Sequence, residues 1–338
     1  MELHIIWFIL VGILFTGYAI LDGFDLGAGA LHLFLKKDDH RRYLLNSIGP
    51  VWDGNEVWLV VGGGALFAAF PEAYATVFSG FYIPFMLLLC ALIFRAVAIE
   101  FRSKEKWRWW RNLWDISFAS GSTASAFLIG VTMGNIVRGI ALDADHEYAG
   151  SFLDLIHPYS LLLGVTTVAL FTMHGAIYLA MKNEGELLLL IKSWIPRLIF
   201  IFLFCYLTFN IYTLFECPEV VKTLKIRPVI LVPLILSLVA FLNIFRMIRL
   251  ERMFAAFLSS CSGMFLLMMT FGLTYFPHIV YSNPHPENSL TILNAASSTP
   301  TLRNILVIAL IGLPLVLAYT ICIYYIFRGK TKLTKHSY

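Results

Sequence analysis

The residues of this 338-residue sequence with chemistry to do are acids that fall inside apolar stretches. Asp22 and Asp25 stand three residues apart, and Asp53 and Glu56 repeat the spacing, which on a helix puts each pair on one face. Glu100 and Asp115 lie where further apolar stretches end and begin, Arg95 is a lone cation within one, and His174 sits deep in another. An ionised side chain near the middle of a bilayer costs about 2.5–3.5 kcal/mol, so each such group needs a reason to be there. Carboxyls and imidazoles that exchange protons supply one: a relay for moving protons partway across a membrane.

A plainer reading stands beside it. Acids in the first turn of a helix are stabilised by the macrodipole and the free N–H groups, which suits Asp53 and Glu56 just after Pro50. Arg95, a turn and a half before Glu100, is expected to neutralise Glu100 or Asp53. His174 suits an interhelical hydrogen bond, and His32 lies close enough to the interface to be given no role. Trp52, Asn55 and Arg95 form the supporting set around the acids, while Trp107, Trp109, Trp110 and Trp114 among Lys and Arg read as an interfacial anchor.

The elements that must position these groups are membrane helices. Hydrophobic residues make up 59% of the chain and charged ones only 14%, against about 25% charged in soluble proteins. The 28 Phe and 8 Trp exclude a disordered chain, and ten-residue alternating segments of a barrel are missing. A net charge of +4 offers nothing to nucleic acid, and the five cysteines show no metal-type spacing. The first apolar run lacks the basic start and small-residue finish of a cleaved signal, so it is expected to be a retained helix.

About 20 apolar residues cross a bilayer, which gives nine expected spans near 3–35, 50–70, 78–100, 114–137, 158–181, 194–215, 228–246, 253–280 and 302–327. The first is over-long and must tilt, break near Asp22-Gly23-Phe24-Asp25, or project. Of the 25 Lys and Arg, 19 fall in the connections at 36–42, 102–111, 182–197, 246–252 and after 327; only Arg138, Lys222, Lys225, Arg227 and Arg303 fall in the opposite set. That bias puts the N-terminus outside and the C-terminus in the cytoplasm. Asp22, Asp25, Asp53, Glu56, Arg95 and Glu100 then gather toward the cytoplasmic side, as a proton path stopping partway across requires. Residues 1–338 form a single transmembrane domain, all-α and polytopic. Its helices 1–4 (1–137) carry the polar motifs, and its helices 5–9 (138–338) serve as scaffold and partner contact. Glycines at 23 and 27, 62–64, and 130 and 134 allow close helix approach.

Several strings resemble subunit II of the cytochrome bd-type quinol oxidases: Asp22-Gly23-Phe24-Asp25-Leu26-Gly27, the run from Asn46 through Trp52-Asp53-Gly54-Asn55-Glu56-Val57-Trp58-Leu59, and Gly63-Gly64-Ala65-Leu66-Phe67-Ala68-Ala69-Phe70-Pro71. Ser79-Gly80-Phe81-Tyr82, Phe94-Arg95 followed by Phe101-Arg102-Ser103-Lys104, and Arg111-Asn112-Leu113-Trp114-Asp115 add to them, in the family's order. The likeness is dense over 17–135; beyond it rests on the helix count and Asn294-Ala295-Ala296-Ser297-Ser298.

The resemblance implies nine helices in two four-helix bundles plus one extra, within a bacterial cytoplasmic-membrane oxidase that oxidises quinol and reduces dioxygen to water. It implies an obligate heterodimer in which subunit I, not this chain, carries two haem b and one haem d, and it leaves room for a small single-helix subunit, a structural quinone and membrane lipid. It also associates the proton path with the acid of Trp-Asp-Gly-Asn, here Asp53. Asp22, Asp25, Asp53, Glu56, Glu100 and His174 are therefore the expected proton-path residues, with no metal site. The rival classes are a proton-coupled secondary transporter, which would need a polar midplane site between two related halves, and a purely structural membrane subunit.

Overall fold

The structure, a computed structural model, describes residues 2–333, so Lys335 of the expected basic C-terminal segment lies outside it. The chain is built of helices: α1 Leu3–Leu31, α2 Asp38–Ile48, α3 Trp52–Ala69, α4 Pro71–Gly80, α5 Tyr82–Phe101, α6 Arg108–Arg138, α7 Pro158–Lys182, α8 Gly185–Glu216, α9 Pro218–Ile226, α10 Leu231–Arg249, α11 Met253–Tyr275 and α12 Thr299–Ile326. Eight of them are long and apolar enough to cross a bilayer: α1, α5, α6, α7, α8, α10, α11 and α12. The expected span at 50–70 is α3. It falls outside that set because 18 residues carrying Asp53, Asn55, Glu56 and three consecutive glycines are short and weakly apolar.

Other boundaries shift for local reasons. The stretch from 71 to 101 divides into α4, begun by Pro71, and α5. α8 starts nine residues before the expected 194, since Glu186 and Lys192 reach Lys37 (2.6 Å) and Glu251 (3.2 Å) where the helix projects past its apolar part. α1 is one unbroken helix of 29 residues, about 43 Å at 1.5 Å per residue.

α1 runs through the middle of the molecule. It packs on α3 and α6, α5 packs on α6, and these four make one group. α7, α8, α10 and α11 make a second, joined to the first through α7 against α1 and α6. The joint is tight because Gly27 and Gly175 bring two backbones into contact: a Cβ on Gly27 would lie 1.7 Å from the Phe171 carbonyl oxygen. α12 leans on α1 and α3 from outside and exposes most of its length.

The end of the bundle at the α1 C-terminus carries the basic connections and the amphipathic α2, which packs on α1 and α7. At the opposite end, strands β1 His278–Val280 and β2 Leu290–Thr291 pair antiparallel over a small apolar core with Trp7, Phe70, Phe81 and Ile140. The Asn294–Ser298 string has a structural task there. Ser297 donates through its N–H and Oγ to the carbonyls of Ala69 (2.9 Å) and Ala68 (2.7 Å), closing the C-terminus of α3, and Ser298 caps α12.

Candidate functional site

Three helices bring charge into the interior. α1 presents Tyr18, Asp22 and Asp25 along one face, at steps of four and three residues. α3 brings Asn55 and Glu56 from its first two turns, and α5 brings Arg95. Asp22, Asp25 and Arg95 are 0% exposed. Arg95 Nη2 donates to Asp22 Oδ1 at 2.8 Å and lies 4.0 Å from Asp25 Oδ2, while Nη1 donates to Glu56 Oε2 at 3.1 Å. The Trp52 ring lies 5.9 Å from the guanidinium carbon, a cation–π contact closing another side. Asn55 Nδ2 donates to Asp25 Oδ2 (2.8 Å) and the Leu21 carbonyl (3.2 Å), and its Oδ1 accepts from the Tyr324 hydroxyl (2.9 Å).

The expectation for Arg95 is corrected by this geometry. Its partners are Asp22 and Glu56, not Glu100 or Asp53. Glu100 points outward on the exposed side of α5, because α5 turns Arg95, Ala98 and Ile99 inward. Asp53 is also exposed, on a stripe with Val57, Val60, Gly64 and Phe67, since the face of α3 that meets α1 is the one holding Asn55, Trp58, Gly62 and Leu66. Glu56 lies between the two faces, its side chain 24% exposed and so the open edge of the cluster.

His174 on α7 is buried apart from the carboxylates. Its Nδ1 bonds to Ser260 Oγ (2.8 Å) and its Nε2 to the Ile20 carbonyl (3.0 Å), and its ring stacks on Phe257. It ties α7 to α11 and α1, as the plainer reading expects.

A second charged group lies two turns further along α1. His32, taken from the sequence as an interface residue, is fully buried and hydrogen-bonded to Asp115 of α6. Asp115 also accepts from Arg102 Nε (2.5 Å) and Arg41 Nη1 (2.7 Å), and Arg102 and Arg111 share Asp38 at 2.6 and 3.0 Å. The correction arises because α6 packs on the turn that carries His32 and meets its ring with Asp115 and Phe118. This group binds α1, α2, α5 and α6 together at the basic end. Arg102 and Asp115 both sit in strings that drew notice in the sequence, whereas His32 and Arg41 gave no signal.

Tyr18 could have been read from its place four residues before Asp22. Tyr324 could not: 269 residues separate it from Asn55.

Among the described residues no group of three His, Cys, Asp or Glu could hold a metal ion. Of the buried histidines, His174 commits both ring nitrogens to the protein, while His32 commits Nε2 to Asp115 with its ring edge-on to Phe118 and keeps Nδ1 without a hydrogen-bond partner among the described residues.

Residues 3–327 match the family model described as cytochrome bd terminal oxidase subunit II. The chain is 34% identical to cytochrome bd-I ubiquinol oxidase subunit 2 of Escherichia coli K12, covering 97% of this chain and 95% of the relative. It is 36% identical to cytochrome bd ubiquinol oxidase subunit 2 of Bacillus subtilis 168, covering 97% of each. A solved bd oxidase chain from Geobacillus thermodenitrificans has the same fold, with a TM-score of 0.81 at 18% identity over 97% of this chain and 99% of that one.

Proposed function

The chain belongs to the cytochrome bd terminal oxidase subunit II family, and from that premise we propose that its buried charge cluster handles the protons consumed by the enzyme. The protein is a subunit of a terminal quinol oxidase of the bacterial cell membrane, a haem enzyme in which subunit I is its partner. Oxidase membership displaces the transporter alternative. A purely structural role for the acids is the competing reading.

The observation that carries the proposal is the sharing of one buried guanidinium, Arg95, between the buried Asp22 and Asp25 and the partly exposed Glu56. Three ionised carboxylates against one cation would leave two uncompensated negative charges in a low-dielectric interior. Two bound protons neutralise the set. Arg95 gives a departing proton's negative charge a fixed counter-ion, so the cluster can lose and regain protons without moving backbone. Glu56, at its edge, exchanges with the outside, and Asp22 and Asp25 hold protons further in. Asp25 Oδ1 makes no hydrogen bond among the described residues, leaving one oxygen of that carboxyl to take a proton. Asp53 belongs to the proposal as a surface acid through which protons pass between this chain and subunit I. Glu100 and His174 lie outside the cluster and are proposed as support rather than relay.

The fuller architecture follows as part of the same reading. α3 begins beside the basic end and finishes against the opposite core at Phe70, and its 18 residues reach about 27 Å, which supports a ninth crossing. The basic connections at one end support an N-terminus outside and a cytoplasmic C-terminus. Two haem b and one haem d are proposed on subunit I, as the family resemblance implies. The division into polar helices up to residue 137 and scaffold beyond, a structural quinone, a small single-helix subunit and bound lipid complete the proposal.

The test is oxygen consumption and proton uptake by the purified two-subunit complex carrying Asp22→Asn, Asp25→Asn or Glu56→Gln. Slowed turnover with an intact haem spectrum is expected. Wild-type turnover and proton uptake in all three would leave only the structural reading.

A further inference from the structure

α12 has little to hold it in place by packing: of its described side chains only Leu302, near its start, is fully buried. Its far end is fastened instead by polar contacts. Lys182, the last residue of α7 and 8% exposed, donates Nζ to the carbonyls of Phe327 and Gly329, the first of them the C-cap of α12. Carbonyls at a helix C-terminus lack intrahelical donors, and an ammonium group satisfies them while complementing the helix dipole. The chain that follows is clasped to the same place. Thr331 N–H donates to the Lys182 carbonyl (2.8 Å), Lys330 Nζ donates to the Asn183 carbonyl (2.9 Å), and the Thr331 hydroxyl meets Ser47 Oγ (3.0 Å), which Asn183 Nδ2 also reaches (3.0 Å).

Tyr324 lies three residues before Phe327, so the clasp fixes the turn that carries it. Its hydroxyl holds the amide of Asn55 from the α12 side. The Leu21 carbonyl can only accept, so Asn55 faces it with Nδ2, and the same nitrogen donates to Asp25 Oδ2. Oδ1 then faces Tyr324 and accepts its proton. Without that hydroxyl nothing on the α12 side holds the amide in this sense. Held there, Nδ2 occupies Oδ2 of Asp25 with a donor, and the proton of that carboxyl is directed to Oδ1.

We propose that Tyr324, seated by the Lys182 clasp, is a positioning residue that holds Asn55 against Asp25 and thereby keeps the proton of Asp25 on Oδ1. The inference rests on the reading of Asp25 as a proton relay. It gives the end of α12 and the segment after it a part in the oxidase reaction that packing does not supply.

The experiment uses the purified two-subunit oxidase with its haem content measured for every variant. Tyr324→Phe removes one hydroxyl and leaves the ring in place. It is expected to lower turnover at saturating quinol about 5-fold, the effect of one lost hydrogen bond, with haem content and the apparent KM for quinol unchanged. Asn55→Leu should lower turnover at least as far, and Tyr324→Phe added to Asn55→Leu should cost nothing more. Lys182→Met should slow turnover and Lys182→Arg should restore it, since a guanidinium can also donate to two carbonyls. Wild-type turnover in Tyr324→Phe, or losses that multiply in the double variant, would overturn the proposal. Asp25→Asn separates the two levels: normal turnover there sinks the relay reading and this inference with it, whereas a slow Asp25→Asn beside a normal Tyr324→Phe sinks the positioning role alone.

Discussion

Arg95 of α5 donates to Asp22 of α1 across the helix interface at 2.8 Å, although Glu100 stands a turn and a half away on its own helix. The choice follows from burial. Both members of the Arg95–Asp22 pair are out of contact with solvent, so each needs the other, whereas Glu100 is exposed.

That pairing sets the first expectation. Arg95→Leu leaves two buried carboxyls and Glu56 without their cation, a loss of about 3–5 kcal/mol when a buried pair is broken from one side. The yield of assembled complex should fall sharply. Adding Asp22→Asn should recover part of it, because the amide no longer needs a counter-ion, and Glu100→Gln should recover none. Recovery by Glu100→Gln instead would show that the Arg95–Asp22 pair is not what holds the cluster together.

The acids themselves should divide by depth. Glu56→Gln removes a group at the edge of the cluster, and Asp25→Asn one at its centre. Proton transfer by a positioned group contributes about 10²–10⁴-fold to a step that depends on it, so Asp25→Asn should slow oxygen reduction by at least about 10-fold even where another step limits the wild type. Glu56→Gln should slow it less, since solvent reaches that edge. Stopped-flow proton uptake on the two variants provides the comparison, and an equal rate for Glu56→Gln and Asp25→Asn would remove the distinction between edge and centre.

How much of this could be read in advance depended on whether the signal was local. Asp22 and Asp25 announce themselves by a three-residue spacing in an apolar run, and Arg95 by being a lone cation within an expected span. Their meeting required knowing only that α1 and α5 lie near each other. The side of α3 on which Asp53 falls could not be read, because a three-residue spacing does not say which side faces inward; Trp58, Gly62 and Leu66 decide that by packing on α1, and they turn Asn55 inward and Asp53 outward. His32 misled because nothing in its own neighbourhood foretells that α6 packs over it. Tyr324 and Lys182 carry no local mark at all. Their partners are 269 and 145 residues away, and only the assembled bundle brings them together.

His174 should behave as a tie between helices and not as a proton carrier. His174→Leu leaves the buried Ser260 Oγ without its partner, at about 1–3 kcal/mol for an orphaned polar group, and removes the tie to the Ile20 carbonyl of α1, so the assembled complex should lose thermal stability. His174→Gln, which can both donate and accept, should recover much of it. Turnover per haem in the surviving complex should match the wild type in both variants, and a turnover defect with normal stability would return His174 to the proton path.

Asp115 makes the strongest case for a purely architectural acid. It is buried and accepts from His32, Arg41 and Arg102, so Asp115→Asn strips the counter-charge from two guanidinium groups and exchanges one acceptor oxygen for a donor facing them. Arg102 keeps Asp38, which limits the damage at that residue, but Asp38 is half exposed and replaces little of what is lost inside. The joint of α1, α2, α5 and α6 should therefore loosen, visible as faster proteolysis in the connections at 36–42 and 102–111 and as a lower thermal transition of the complex. Proton uptake per turnover should stay at the wild-type value in whatever complex survives, because the cluster around Arg95 is untouched. Proteolysis and thermal stability unchanged from wild type would show that Asp115 does not bind the four helices together.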